Sequence, residues 1–447
     1  MVNVPRIGRL RIPARLTTRW RARLRAQRRW WRRRLRDISP GPVLFPPLGG
    51  GVVAIETLAG GIAPGPGPRI AVLHATAGSG HKRAAQALAA AMTQLDPRAT
   101  VREVDTLVFA SRFYRTTYAA SYNAMAARAP ALWGALYHSW ASAPVNRGTA
   151  PVRLAMDRLN LRRLTRVLER EAPDAVVCTH FLPVEALSPS RGHGRLRVPL
   201  YCVITDFTAH PFWAFPHVDR YFVASPEVAE ELAGHGVTRS KIEVTGIPVD
   251  PIFAKTIGRS AACARFGLEP KEPVVLVMGG GSGVGPLADL AERLTALAAR
   301  PRVVVVCGTN QRLFRELESR AAARAGRILP IGFTYEVDAL LEACDVVVSK
   351  AGGLTCSEAL IKRVPLVIYR PTPGQEVRNA AYLEQGGAAV LAESAAEVET
   401  TVSRWLGSPA ERDRVREAAG KLAHPDAAER IARRVLEGVP QALERSA

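Results

Sequence analysis

The sequence predicts an α/β protein of two doubly wound, parallel-sheet domains, preceded by an Arg-rich amphipathic arm. Three observations support this. Short apolar runs of strand length recur between residues 69 and 369, each followed by a glycine-rich or polar turn and a helical pattern, as in βα units. The pattern starts twice, at Arg69 and at Pro273, and each start runs into a glycine turn. A chain of 447 residues is long enough for two domains with their own cores. The expected boundaries are an arm over 1–38, a linker over 39–68, a first domain over 69–250 and a second over 251–447.

The arm explains the charge. Residues 1–37 hold fourteen Arg against one Asp, so about +13 of the formal +21 sits there and about +8 on the other 410 residues. Leu16, Trp20, Leu24, Trp31, Leu35 and Ile38 form a narrow apolar stripe at helical spacing. With Trp30 beside Trp31, this matches an interfacial helix on an anionic membrane, each nearby Arg contributing on the order of 1 kcal/mol. A nucleic-acid arm would carry the same charge but would need no stripe, and no nucleic-acid recognition motif occurs elsewhere; a disordered solubilising tail is the other alternative. No run of 18 apolar residues exists, and the start lacks the order of a signal peptide. The expected location is therefore cytoplasmic, peripheral on the inner face of the plasma membrane. Six Cys without a Cys-x-x-Cys pair read as reduced, buried residues. Heavy Arg and Ala usage hints at a bacterial genome.

Residues 39–68 are Pro- and Gly-rich, a linker. The first domain opens on the strand Arg69 to Ala75, the turn Thr76-Ala77-Gly78-Ser79-Gly80-His81-Lys82 and an Ala-rich helix to about Leu95. Arg83 stands where a dinucleotide fingerprint needs its third glycine, and no P-loop precedes Lys82. His81 remains, at a helix start beside the carboxyl end of a first strand. It suits a general base, although a structural histidine fits the same pattern. Residues 106–148 are helical and aromatic (Phe109, Phe113, Tyr114, Tyr118, Tyr122, Trp133, Tyr137, Trp140), either a lipid-facing lip or core. A helix over 151–171 follows, then strands at 174–179, 199–205, 219–224 and 242–245 and a helix at 226–234. Asp206 and His210, near Trp213, lie at a strand's C-terminal end and are candidates for substrate contact.

The second domain opens on the strand Pro273 to Met278 and the glycine cradle Gly279-Gly280-Gly281-Ser282-Gly283, with a helix from about Val284. Strands at 302–307 and 327–331, a helix at 310–322 and Gly332-Phe333-Thr334 come next. The strand Cys344 to Val348 then leads into Ser349-Lys350-Ala351-Gly352-Gly353-Leu354-Thr355 and a helix carrying Glu358. Free backbone N–H groups at such a turn bind anions, and a carboxylate one turn on suits a ribose diol. An ordinary strand–turn–helix with a capping Thr and a solvated Glu has the same sequence. After the strand Pro365 to Tyr369, the polar cluster Gln375, Glu376 and Asn379 opens a helix suited to sugar hydroxyls, and three helices (394–406, 409–421, 426–437) finish the chain. No Asp-x-Asp or Cys/His spacing supports a metal, so none is expected.

His74-Ala75-Thr76-Ala77-Gly78-Ser79-Gly80-His81, Val203-Ile204-Thr205-Asp206-Phe207, Val244-Thr245-Gly246-Ile247-Pro248, the two glycine cradles and Gly374-Gln375-Glu376 with Asn379 form one combination. It resembles the monogalactosyldiacylglycerol synthase and processive diacylglycerol glucosyltransferase family. That family has the GT-B fold, two Rossmann-like domains facing a cleft, and is related to the peptidoglycan lipid-II synthase glycosyltransferase. The resemblance covers about residues 69–392 and leaves the arm outside. It implies an inverting, metal-independent transfer of a hexose from a UDP-sugar to a membrane lipid, diacylglycerol, with the UDP-sugar a substrate rather than a cofactor. It also implies that His81 deprotonates the acceptor with Asp206 nearby, and that Gly80, His210 and Trp213 face the acceptor. On the donor side, Gly332 and Phe333 would hold the uracil and Glu358 the ribose. Gly280, Gly281, Ser282, Gly353, Leu354 and Thr355 would hold the diphosphate, and Gln375, Glu376 and Asn379 the sugar.

Two other classes share parts of this pattern. A UDP-sugar 2-epimerase has the same fold and nucleotide cleft but no use for a Trp/Arg arm. A non-enzymatic sugar-nucleotide-binding protein would keep the cradles without needing His81 or Asp206. A GT-B transferase with a polyprenyl or other acceptor is the nearer alternative.

Overall fold

The computed structural model describes residues 67–76, 78–117, 143–323 and 326–439. The arm with Trp20, Trp30 and Trp31, all but the end of the linker, and Tyr118, Tyr122, Trp133, Tyr137 and Trp140 lie outside the described residues.

The first lobe is a six-stranded sheet: β1 (Arg69–His74), β2 (Thr100–Asp105), β3 (Ala175–Cys178), β4 (Leu200–Val203), β5 (Arg220–Val223) and β6 (Ile242–Val244), in the order β2-β1-β3-β4-β5-β6. All pairs are parallel. The inner strands read as continuous apolar runs because helices cover both faces of a parallel sheet. The helices of this half are α1 (Ser79–Leu95), α2 (Ala143–Asn160), α3 (Arg162–Glu171), α4 (Phe181–Gly192) and α5 (Pro226–Gly234). The second lobe repeats the plan with α6 (Arg259–Phe266), β7 (Val274–Met278), α7 (Leu287–Thr295), β8 (Arg302–Val306), α8 (Gln311–Ala323) and β9 (Ile328–Ile331). It continues through α9 (Val337–Ala343), β10 (Val346–Ser349), α10 (Gly353–Ile361), β11 (Leu366–Tyr369), α11 (Gln375–Gln385) and β12 (Ala389–Ala392). Three helices close the chain: α12 (Ala395–Gly407), α13 (Pro409–Leu422) and α14 (Ala427–Glu437). The strand order is β12-β11-β10-β7-β8-β9, again all parallel.

Each sheet reverses its winding once: between β1 and β3 in the first lobe, and between β7 and β10 in the second. Such a reversal opens a crevice at the carboxyl ends of the strands, where open α/β sheets take ligands. The turn before α1 leaves β1, and the glycine cradle of residues 279–283 leaves β7. The turn before α10 leaves β10. The topology thus places these three glycine turns at the reversals.

The structure departs from the sequence reading in four places. The helix expected over 151–171 is two, α2 and α3, broken at the buried Leu161. β2 and β12 carry weak patterns because they are edge strands; in β2, Arg102 and Glu103 stay accessible there. Of the described aromatics in 106–148, Phe109 and Tyr114 are core and Phe113 is exposed. Finally, α14 does not finish the second domain. Its apolar stripe of Ala428, Ile431, Ala432 and Val435 packs with Leu88, Ala91 and Met92 of α1 and with Ile70 and Val72 of β1. Arg430 donates to the Val244 carbonyl oxygen at 2.9 Å. The first sheet therefore completes its core only with the end of the chain. All six cysteines are buried and free.

Candidate active site

In the first lobe, Gly78 precedes α1 with φ 147°, a conformation that glycine adopts without strain. It turns the chain so that His81 falls in the first turn of α1. The His81 Nδ1 lies 2.8 Å from the Thr179 carbonyl oxygen at the end of β3 and 2.9 Å from the Thr205 hydroxyl beyond β4. A carbonyl only accepts, so Nδ1 carries the hydrogen and Nε2 the lone pair. The Thr179 hydroxyl in turn donates to the His81 carbonyl oxygen at 2.8 Å. Two neighbouring strand ends, those of β3 and β4, therefore fix one ring in the tautomer whose Nε2 is basic. His180 meets it edge-on at 4.5 Å and Trp213 lies at 6.4 Å. Burial pushes the His81 pKa down to about 4, against the raising effect of the bond to Thr179, and His74 adds a smaller lowering. The ring is neutral at physiological pH.

His210 caps the short turn Pro211–Trp213, its Nδ1 accepting from the Phe212 N–H at 3.2 Å, and so sets the loop that carries Trp213. Asp206 does not join His81. Its carboxylate accepts from the Asn379 amide at 2.9 Å, and burial raises its pKa to about 6 while that bond opposes the rise. Asn379 also donates to the Ala351 carbonyl and accepts from the Phe207 N–H at 2.8 Å. Fully buried, its amide is thus engaged at both ends inside the protein, and it bridges the lobes instead of reaching a sugar. Phe207 stacks on Tyr382 of α11 beside it at 4.9 Å.

On the second lobe, the cradle uses positive φ at Gly280 (73°) and Gly283 (55°), and Asn310 pins it by donating to the Gly283 carbonyl at 3.0 Å. A Cβ on Gly281 would come 2.7 Å from the Ser79 hydroxyl, so the glycine turns of the two lobes touch across the cleft. The end of α10 comes nearer still: a Cβ on Gly353 would run into the Thr205 carbonyl oxygen, while one on Gly80 would only meet the Leu354 side chain at ordinary contact distance. No side chain caps α10, which leaves its first N–H groups for another acceptor. Ser282 is exposed and Thr355 half-buried at this rim.

Glu358, one turn into α10, is ion-paired with Arg83 of α1. Its burial raises its pKa to about 7, against the pull of Arg83. Glu376, in the first turn of α11, accepts from the Thr372 N–H at 2.6 Å and has Lys350 at 3.7 Å, while Gln375 begins the same helix. Gly332 and Phe333 follow β9, and the Phe333 ring is half-exposed against Tyr335 at 5.1 Å. From the sequence, Thr179, His180 and Thr205 stood out only as polar residues at strand ends with no assigned role, and Arg83 had no role either. Its only signal was its position in the helix.

Residues 81–249 match the model of the monogalactosyldiacylglycerol (MGDG) synthase family, and residues 274–431 that of the glycosyltransferase family 28 C-terminal domain. The processive diacylglycerol beta-glucosyltransferase of Bacillus cytotoxicus is 32% identical over 277 residues, 62% of this chain and 71% of that protein. The enzyme of the same name from Bacillus thuringiensis is 31% identical over the same shares. In three dimensions the chain is similar to MurG of Acinetobacter baumannii (16% identity, TM-score 0.51, 83% of this chain and 99% of that one). It is also similar to the UDP-GlcNAc 2-epimerase of Neisseria meningitidis (13%, 0.53, 83% and 100%). At such identities the structural likeness speaks for the fold alone, and that fold is GT-B.

Proposed function

The chain belongs to the processive diacylglycerol beta-glucosyltransferase family and is a glycosyltransferase, and on that premise we propose that it moves glucose from UDP-glucose to diacylglycerol. The observation that carries the mechanism is the fixed tautomer of His81. Its Nε2 lone pair takes the proton of the acceptor hydroxyl as that oxygen attacks the sugar C1. The C1–diphosphate bond breaks with its electron pair staying on UDP, and an α-linked donor gives a β-linked product. The N–H groups of Gly353, Leu354 and Thr355 and the Ser282 hydroxyl, aimed where that charge develops, stabilise the leaving diphosphate. Glu358 holds the ribose, Gly332 and Phe333 the uracil, and Gln375 and Glu376 the sugar hydroxyls. The touching lobes exclude water from the transfer.

The acceptor reaches the site from a membrane. No helix among the described residues is long and apolar enough to cross one. Val152, Met156 and Leu159 form an exposed stripe at helical spacing on α2, and Phe113 is 79% exposed. Exposed Arg112, Arg158, Arg162, Arg163 and Arg166 accompany these apolar residues, the chemistry that suits an anionic lipid surface. The arm of residues 1–38 adds, by its sequence, a second such element. This reading places the enzyme peripherally on the inner face of the plasma membrane.

The test is transfer of labelled hexose from UDP-glucose and UDP-galactose to diacylglycerol in anionic vesicles, in the presence of EDTA. Label from UDP-glucose in a chloroform-soluble product is the expected result. Release or isomerisation of the nucleotide sugar without lipid label would overturn it. Liposome binding that survives both Met156→Glu/Leu159→Glu and deletion of residues 1–38 would overturn the membrane reading.

A further inference from the structure

Arg83 lies two residues beyond His81 on α1, in the first lobe, and has no part in the chemistry above. Its guanidinium is nonetheless ion-paired with Oε1 of Glu358 on the second lobe. Glu358 is only 1% exposed, and a carboxylate removed from water needs a partner to stay charged. Asp250 and Asp338 lie close enough to favour its proton, and Arg83 is the cation that opposes them. The other oxygen, Oε2, is buried without a hydrogen-bond partner. With one oxygen fixed by the guanidinium, the second is an acceptor held in one direction.

We propose that Arg83 is a positioning residue of the donor site, reaching from the acceptor lobe to keep Glu358 ionised and its Oε2 aimed at the ribose diol. This rests on the reading of Glu358 as the ribose ligand. The nucleotide site is then complete only when the lobes are in register. Arg83 and His81 occupy one helix end, so the seating that completes the nucleotide site also seats the base. A donor bound to the second lobe alone would lack both.

The experiment is calorimetric titration of UDP and of 2′,3′-dideoxy-UDP into the full chain and its variants. In Arg83→Gln, UDP should bind about tenfold more weakly or worse, and dideoxy-UDP should change by less than about twofold, so the preference for the diol collapses. Arg83→Lys should restore part of that preference, since it returns the charge on a shorter stem. An Arg83→Gln variant that keeps the wild-type preference while Glu358→Gln loses it overturns the proposal. If Glu358→Gln itself keeps the preference, the ribose reading falls instead. Should Arg83→Gln not fold, Arg83→Met, which retains most of the apolar stem, is read in the same way.

Discussion

The ends of α1 and α10 are built alike and used differently. Both follow a strand that borders a reversal in its sheet, both begin at glycine, and neither is capped by a side chain. At α1 the first turn carries an imidazole that two strand ends hold in the tautomer with a basic Nε2. At α10 the first turn carries no charged side chain, and its buried carboxylate waits one turn further in. The same backbone device thus serves a proton acceptor in one lobe and an anion cradle in the other. The side chains on the first two turns and the burial around them make the difference. The two ends meet where Gly353 approaches the Thr205 carbonyl, next to the hydroxyl that braces His81.

The sharpest way to break this comparison is to remove the base. His81→Ala should cost about 10²–10⁴-fold in turnover in the lipid transfer assay while UDP binding stays near wild type. A variant that loses both would mean that α1 serves the donor as well as the acceptor through His81. Gly353→Ala places a methyl against the Thr205 carbonyl and must push the ends apart. About 10²-fold in kcat is expected, with the far-UV dichroism unchanged. Thr205→Val removes one brace and leaves the Thr179 carbonyl in place. A loss of only about two- to tenfold should follow, because a single neutral hydrogen bond contributes about 0.5–1.5 kcal/mol net.

The pH dependence separates the regions more gently. Because His81 titrates near 4, kcat/KM should have its acid limb from this group well below neutrality, and protonation of Nε2 abolishes the base. Behind the acceptor side, Glu185 of α4 is fully buried beside Asp157 and is ion-paired with Arg153. Burial first, and the Asp157 charge second, raise its pKa to about 8 from an ordinary 4.5. The folded state then holds a proton that the unfolded chain has released. This group's contribution therefore favours the fold below about pH 4.5, falls as pH rises to about 8, and is level above that. Glu185→Gln should flatten that part of the profile of melting temperature against pH.

Much of this arrangement was legible before any coordinates. The apolar runs of β1, β3, β7 and β10 mark themselves because a parallel strand covered on both faces tolerates few polar residues. Glycine at 78, 280 and 283 marks backbone that other residues adopt only under strain. Edge strands such as β2 escaped because one side of an edge needs no apolar partner. Asn379 was misread as a sugar ligand because a polar residue opening a helix looks the same whether it meets a ligand or another lobe. Only the folded chain shows its amide engaged by Phe207, Asp206 and Ala351.

By itself, then, the sequence determined the local grammar: which segments are strands, which turns bend through glycine, and which helix ends carry a histidine or a carboxylate. These follow from short-range sterics and from the periodicity of burial, which neighbouring residues encode. The tertiary structure decided what touches what across the cleft. It set the tautomer of His81 through Thr179, 98 residues away, and the partner of Glu358 through Arg83, 275 residues away. It also gave α14 to the first sheet. Such pairings depend on the packing of whole sheets and helices, and no local pattern in the chain carries them.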